Sequence, residues 1–379
     1  MAAERLAERG ASVQVFDRMP SVGRKFLMAG RGGLNLTHSE PVPALLRRYG
    51  PAEAALAPAI LAWPPEALRA WCAGLGQVCF TGSSGRVFPA AFKASPLLRA
   101  WLRRLAELGV IIHARQHWLG WDEAGGLRFA DGHVVQADAA VLALGGASWP
   151  RLGADGSWVP VLEAAGADIT PLRPDNSGVR RAWSAWFTER FQGQPLKRIR
   201  VSCGGESASG EAMISTSGLE GGVIYALSRA VRRELDRDGF ADLTIDLRPD
   251  LSLPVLSQRL AGQGQSMANA LRRAGLSPAA SGLVRELAGN GALAERVKAA
   301  QVRVEGLGGL DRAISTSGGV RLSAVDERFM LCARPGVFVT GEMMDWDAPT
   351  GGYLLQASFS TGRHAADGVM DWLHAQPGL

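Results

Sequence analysis

Residues 1–17, MAAERLAERGASVQVFD, decide the fold. Ala2, Ala3, Leu6 and Ala7 are apolar at helical spacing over residues 1–10, and Gly10 reads as a left-handed stop. Residues 12–17 then read as a strand, with Val13, Val15 and Phe16 as its apolar content and Asp17 at its end. Helix, glycine, strand and terminal acid form the second half of a βαβ dinucleotide-binding unit. In such a unit an acid about 20 residues beyond the first glycine of G-x-G-x-x-G accepts the ribose hydroxyls. Counting back from Asp17 puts that glycine loop and its strand upstream of Met1, so a truncated or mis-set start is expected. Asp17 can also be read as a surface turn residue; the lengths of the helix and strand before it favour the ribose role.

The chain has 379 residues, 47% hydrophobic and 20% charged, with mean hydropathy near zero. This is the balance of a soluble globular protein with room for two or three domains. Forty-seven glycines against three tyrosines predict many tight turns and close backbone approaches. The net charge of +5 comes from arginine spread along the chain, which favours codon bias over a nucleic-acid surface while leaving nucleic acid open as a partner. Cys72, Cys79, Cys203 and Cys332 form no C-x-x-C pair and read as reduced, buried thiols of a cytoplasmic protein. There is no signal-peptide pattern and no run of 18 apolar residues, so no membrane span is expected.

Outward from Asp17, a glycine-rich basic loop over residues 21–38 leads into helical sequence over 43–75, broken at Pro64 and Pro65. An amphipathic helix is expected over 95–108 with Ser95 as its N-cap, followed by short alternating runs to residue 135 with a turn at Asp131 and Gly132. The apolar runs 139–144 and 336–340 each end at a glycine and read as buried parallel strands. Between them lies strand-like sequence with a helical excursion. The expected organisation is α/β: a three-layer Rossmann-like nucleotide domain lacking its first strand, over residues 1–168 and 321–379. Inserted in it are a β domain over 169–248 with a return strand over 301–320, and a helical subdomain over 249–300.

Four constellations carry candidate chemistry. The first is Asp17. The second is the loop with Gly23, Gly30, Gly32 and Gly33 for close approach, Arg24, Lys25 and Arg31 for charge, and Asn35, Thr37 and His38 as neutral polar groups. Such a loop suits a diphosphate or ribityl chain, although ordinary solvated loops share its composition. The third is Gly145 and Gly146, where a chain can cross a nucleotide at the carboxyl edge of a sheet. The fourth comprises Gly341, Glu342, Asp345, Gly351, Gly352, Tyr353 and Gln356, with an acid for a ribityl hydroxyl and glycines at a helix start. The pentapeptide ISTSG occurs at 214–218 and again at 314–318; both copies read as tight turns whose Ser217 and Ser317 face a shared cavity. No nucleophile–base pair stands out, and the six histidines are isolated.

At these motifs the chain resembles the BaiN/YhiN-type bacterial flavoproteins, NAD(P)/FAD-dependent oxidoreductases similar in fold to the glutathione-reductase superfamily. The resemblance rests on Gly23-Arg24-Lys25, on Gly30 to His38, on the G-R-x-F-P element at 85–89, on 143–150, and on 341–356. It departs where the family's Arg-Cys pair is Gly33-Leu34, where Leu144 replaces Thr, and where Leu354 replaces Asn, marking a divergent subgroup. The resemblance implies FAD, an inserted β-barrel-like domain and a small helical domain, and fixes no substrate. The expected function is hydride transfer between flavin N5 and a small molecule, with NAD(P)H as a candidate reductant and Ser217, Ser317 and Tyr353 as candidates to line the flavin. Flavin-dependent RNA-base modification, or a remnant unable to hold FAD, are the alternatives.

Overall fold

A computed structural model describes residues 1–30, 32–261, 266–287 and 289–376. Two units divide the chain: residues 1–173 with 315–379, and residues 174–314.

In the first unit, α1 (Ala2–Glu8) ends as its sequence predicts. Gly10 takes φ +87°, its N–H bonds Ala7 O, and Ala11 N–H bonds Leu6 O, which satisfies the last carbonyls of the helix. The chain then enters β1 (Gln14–Asp17), which runs parallel to β2 (Ile111–Ala114), pairing Gln14 with Ile111 and Asp17 with Ala114. Between these strands come α2 (Arg24–Ala29), α3 (Glu53–Ala62), α4 (Pro65–Gly74) and α5 (Ala94–Glu107). Ser95 does not cap α5. The cap position is Lys93, two residues earlier, and Ala94 packs against Gly30, where an added Cβ would come within 2.7 Å of the Ala94 Cβ. A third strand, β3 (Ala140–Leu142), precedes the crossover to the second unit.

α1 is held by a carboxylate in an apolar core. Glu4 is fully buried and accepts hydrogen bonds from Trp71 Nε1 on α4 and from Trp101 Nε1 and Arg104 Nη1 on α5, at 2.7–3.1 Å. Around it pack Leu68, Cys72, Leu97 and Phe359. All the groups facing Glu4 are donors, so Glu4→Gln turns an NH2 group towards another donor. Its expected cost is about 1–3 kcal/mol, read as a lower denaturation midpoint in urea with an unchanged slope.

The second unit is built on a seven-stranded antiparallel sheet. In chain order its strands are β4 (Val179–Arg180), β5 (Pro195–Cys203), β6 (Glu206–Ser215), β7 (Gly218–Glu220), β8 (Ala241–Asp246), β9 (Ala300–Val304) and β10 (Gly306–Leu307). Leu243, Ile245, Val302 and Val304 alternate with exposed or half-buried residues and point into one core. That core is covered by α6 (Ser228–Asp238) and by the helices α7 (Leu253–Leu260), α8 (Met267–Arg273), α9 (Pro278–Glu286) and α10 (Leu293–Lys298). The first ISTSG copy forms the hairpin between β6 and β7, where Ser215 pairs with Gly218.

Back in the first unit, β11 (Ser315–Val320) pairs with the strand Ile169–Asp175. The second ISTSG copy is therefore extended strand and not the tight turn expected of it. Both copies nevertheless place their glycine against a neighbouring strand: a Cβ on Gly218 would collide with Val179 O, and one on Gly318 with Pro171 O. β12 (Val337–Val339) is fully buried and runs parallel to β3, as the apolar runs predict. The chain closes with the long helix α11 (Tyr353–Ala375). Cys332 is exposed, contrary to the expectation of four buried thiols, while Cys72 and Cys203 are buried. Among the described residues no helix is long and apolar enough to cross a membrane.

Candidate functional site

In the first unit, loops from four distant segments meet at the carboxyl ends of β1, β3 and β12, where open α/β sheets place their ligands. The junction is made by Lys25 in the first turn of α2. Its Nζ donates to Ser148 Oγ at 2.6 Å and lies 2.5 Å from Glu342 Oε2. The other Glu342 oxygen accepts Thr316 N–H at 3.0 Å. Thr316 Oγ1 in turn accepts the backbone N–H groups of Ala147 and Ser148, at 2.9 and 3.1 Å. Ser148 and Thr316 are completely buried. Gly146 has no room for a side chain, because a Cβ there would collide with the Thr316 hydroxyl.

Gly352 joins the fourth constellation to the second. Its φ is +96°, and a Cβ would lie 2.6 Å from the Thr37 backbone. The start of α11 thus sits directly on the polar loop. Gly145 and Gly341 also hold left-handed backbone in this region, at φ +73° each. Within the same loop Arg24 Nε, Asn35 Oδ1 and Thr37 Oγ1 are buried without a hydrogen-bond partner among the described residues. Buried polar atoms are almost always paired, so a cluster of three calls for a polar group to satisfy them. Asp17 stands at the end of β1, its carboxylate accepting Met19 N–H at 2.8 Å, and burial raises its pKa.

Other candidates are engaged elsewhere. The Gln356 amide braces α11 against α3 by donating to Trp63 O and Ser360 Oγ. Asp345 accepts the Thr170 hydroxyl at 2.6 Å. Tyr353 is caged: His38 stacks on its ring at 5.4 Å, and Arg48 lies over it at 5.7 Å. Burial, with Glu40 as a second cause, pushes its phenol well above the usual tyrosine range, so it stays protonated. Gly23, at φ +72°, precedes α2 against Leu98, Gly30 packs on Ala94, and Gly32 faces open space. Ser317 belongs to this unit and is half-buried on β11, whereas Ser217 belongs to the other. Arg31 lies outside the described residues. Sequence reasoning missed Ser148 and Thr316. The available signals were the serine within G-G-A-S-W-P and the central residue of the ISTSG echo.

Residues 1–368 match the family described as HI0933-like protein Rossmann domain. The chain belongs to that family. It is 23% identical over 395 aligned residues to a 3-dehydro-bile acid delta(4,6)-reductase from Clostridium scindens, covering 93% of this chain and 91% of that protein. Its fold matches a 3-ketosteroid delta1-dehydrogenase from Sterolibacterium denitrificans with TM-score 0.52 at 12% identity, covering 98% of this chain and 97% of that one. A flavocytochrome c3 fumarate reductase matches with TM-score 0.53 at 15% identity, over 98% of this chain and 76% of the other. The fold is that of flavin-dependent oxidoreductases, in agreement with the resemblance carried by the motifs.

Two outcomes follow from the local geometry. Gly352→Ala combines a strained φ with a backbone collision and is expected to cost about 3 kcal/mol or more, measured by chemical denaturation. Arg48 bonds both Glu40 oxygens and holds that carboxyl below the usual range, against the opposing effect of burial. A folded-state pKa below the unfolded one adds stability that is complete above the ordinary carboxylate value and lost as pH falls through the folded value. Arg48→Met should therefore lower Tm at neutral pH, and the gap to the native protein should narrow under acid conditions; a gap constant with pH would contradict this.

Proposed function

We propose that the first unit binds FAD and that the protein is a FAD-dependent oxidoreductase acting on a small molecule, with NAD(P)H as electron donor. The observation that carries this reading is the trio Arg24 Nε, Asn35 Oδ1 and Thr37 Oγ1, buried without a partner among the described residues, on the loop that also carries Lys25 of the Lys25–Glu342 junction. A diphosphate and a ribityl chain supply the acceptors and hydroxyls that these atoms lack. When bound, FAD supplies two-electron chemistry, exchanging a hydride at its N5.

The chain's own residues then take separate tasks. Asp17 at the end of β1 accepts ribose hydroxyls. Arg24, Asn35 and Thr37 face the diphosphate and ribityl portions, with Gly32 permitting close approach. Lys25 orients Glu342 and Ser148, and this pins the loop after β3, including Gly145 and Gly146, against the segment after β12, including Gly341. Gly351 and Gly352 present backbone N–H groups and the positive end of the α11 dipole to the ring edge where negative charge develops. Tyr353 and Asp345 we assign to holding this frame, because their polar groups are already engaged; Gln356 braces it through its amide N–H groups, while its Oε1 is buried without a partner among the described residues. The Clostridium scindens relative bears the name of a reductase, which supports the reducing direction for the substrate.

The test is the visible absorption spectrum of the purified protein, before and after incubation with FAD, together with its anaerobic bleaching by NADH or NADPH. A flavin spectrum that bleaches with one nicotinamide supports the proposal. Failure to retain or take up FAD sinks it, and flavin that neither nucleotide reduces removes NAD(P)H as donor. Glu342→Ala, which releases Lys25 and Thr316 together, is expected to weaken FAD binding at least about tenfold, equivalent to about 1.4 kcal/mol.

A further inference from the structure

The second unit contains a cavity of about 550 Å³ between β5 and the helices α7 and α9. That volume falls within the range of small-molecule sites, about 300–1,000 Å³. Its apolar lining is Ile199, Leu247, Leu276, Ala279 and Ala280, all of them buried. Its walls carry Lys197, Arg198, Arg248 and Arg259, against Asp250 as the lining carboxylate.

The cations are brought together by an irregularity in β5. Leu196 pairs with Ala212 and Ile199 with Gly210, so that Lys197 and Arg198 together oppose one partner residue. Arg198 takes φ +52°, left-handed backbone in a non-glycine residue. In a regular strand successive side chains point to opposite faces; the bulge instead lets both neighbours line the same cavity. The burial pattern shows it directly, with Lys197 and Arg198 both exposed between buried Leu196 and Ile199.

Asp250 does not neutralise this group. Arg248 engages both its oxygens, at 3.0 and 2.9 Å, and is the main reason its carboxyl is held down to about 2; the charge of Arg198 is a smaller contributor. Arg248 also donates to Ala274 O. Among the described residues Lys197, Arg198 and Arg259 form no side-chain hydrogen bond or ion pair. α9 starts at the cavity wall, with Ser277 capping Ala280 N–H at 3.1 Å, so the positive end of its dipole adds to the field.

We propose that this cavity is a second ligand site, distinct from the FAD site, for a phosphate-bearing small molecule of nucleotide size. Arg198 and Arg259 offer planar forks that match phosphate oxygens, Lys197 adds a point charge, and the apolar floor receives the uncharged body of the ligand. A bare phosphate would use only the rim, so the floor favours a nucleotide over the free ion.

The experiment is calorimetric titration of the FAD-loaded protein with ADP and, separately, with inorganic pyrophosphate. ADP is expected to bind at one site, more tightly than pyrophosphate, with affinity falling as salt rises. Lys197→Gln combined with Arg198→Gln is expected to weaken ADP binding at least tenfold. Arg259→Gln, a single change on an exposed helix position, is expected to weaken it severalfold and serves if the double variant does not fold. Equal affinity for ADP and pyrophosphate would confine the ligand to the rim and overturn the nucleotide-sized assignment. No ADP binding, or ADP binding kept both with the Lys197 and Arg198 changes and with Arg259→Gln, overturns the site.

Discussion

The first unit depends on one carboxylate. Glu342 receives Lys25 Nζ on one oxygen and Thr316 N–H on the other, and through Ser148 and the Thr316 hydroxyl it fixes the turn after β3. Lys25 and Glu342 are 317 residues apart in sequence, yet they fasten together the loops that follow three different strands. The pair is partly exposed, with side-chain accessibilities of 28% and 16%, so its Coulombic gain is discounted by solvent. Its main contribution is geometric. An ion pair whose remaining valences are satisfied by backbone N–H groups permits one arrangement of those backbones and penalises the others.

Sterics at Gly146 and Gly352 complete what the charge begins. At Gly146 the Thr316 hydroxyl occupies the space of a side chain, and at Gly352 the Thr37 backbone does so. The loops are therefore in backbone contact, and residues 24–37 contribute three of the buried polar atoms that lack a partner among the described residues, on Arg24, Asn35 and Thr37. A frame this tight that leaves three buried polar atoms unsatisfied is consistent with a site whose last partner is a ligand.

What the sequence made legible is what local chemistry dictates. The helix, Gly10, strand and Asp17 of the first residues follow from periodicity and one left-handed glycine, and the β3–β12 pair follows from short apolar runs ending at glycine. Context decided the rest. The same ISTSG is a hairpin turn where Ser215 pairs with Gly218, and extended strand where β11 runs beside Ile169–Asp175. A pentapeptide cannot specify which, because the strand that arrives alongside does. Glu4 was equally opaque: a lone acid on a short helix reads as solvated. Its donors Trp71 and Trp101 are 67 and 97 residues away, and only their convergence makes the buried carboxylate affordable.

The chain's basic character is distributed unevenly between matched and unmatched cations. A net charge of +5 spread along a sequence implies little about partners. In the first unit many cations are matched: Lys25 with Glu342, Arg104 with Glu4, Arg18 with Asp155, Arg5 with Asp367. Around the cavity of the second unit they are not, since Asp250 is already committed to Arg248 while Lys197 and Arg198 share a bulge. Arg198, a non-glycine residue, holds left-handed backbone at φ +52°, and that strain is present before any ligand arrives. In the proposed site the bulge therefore preorganises Lys197 and Arg198, and the ligand need only supply the opposite charge.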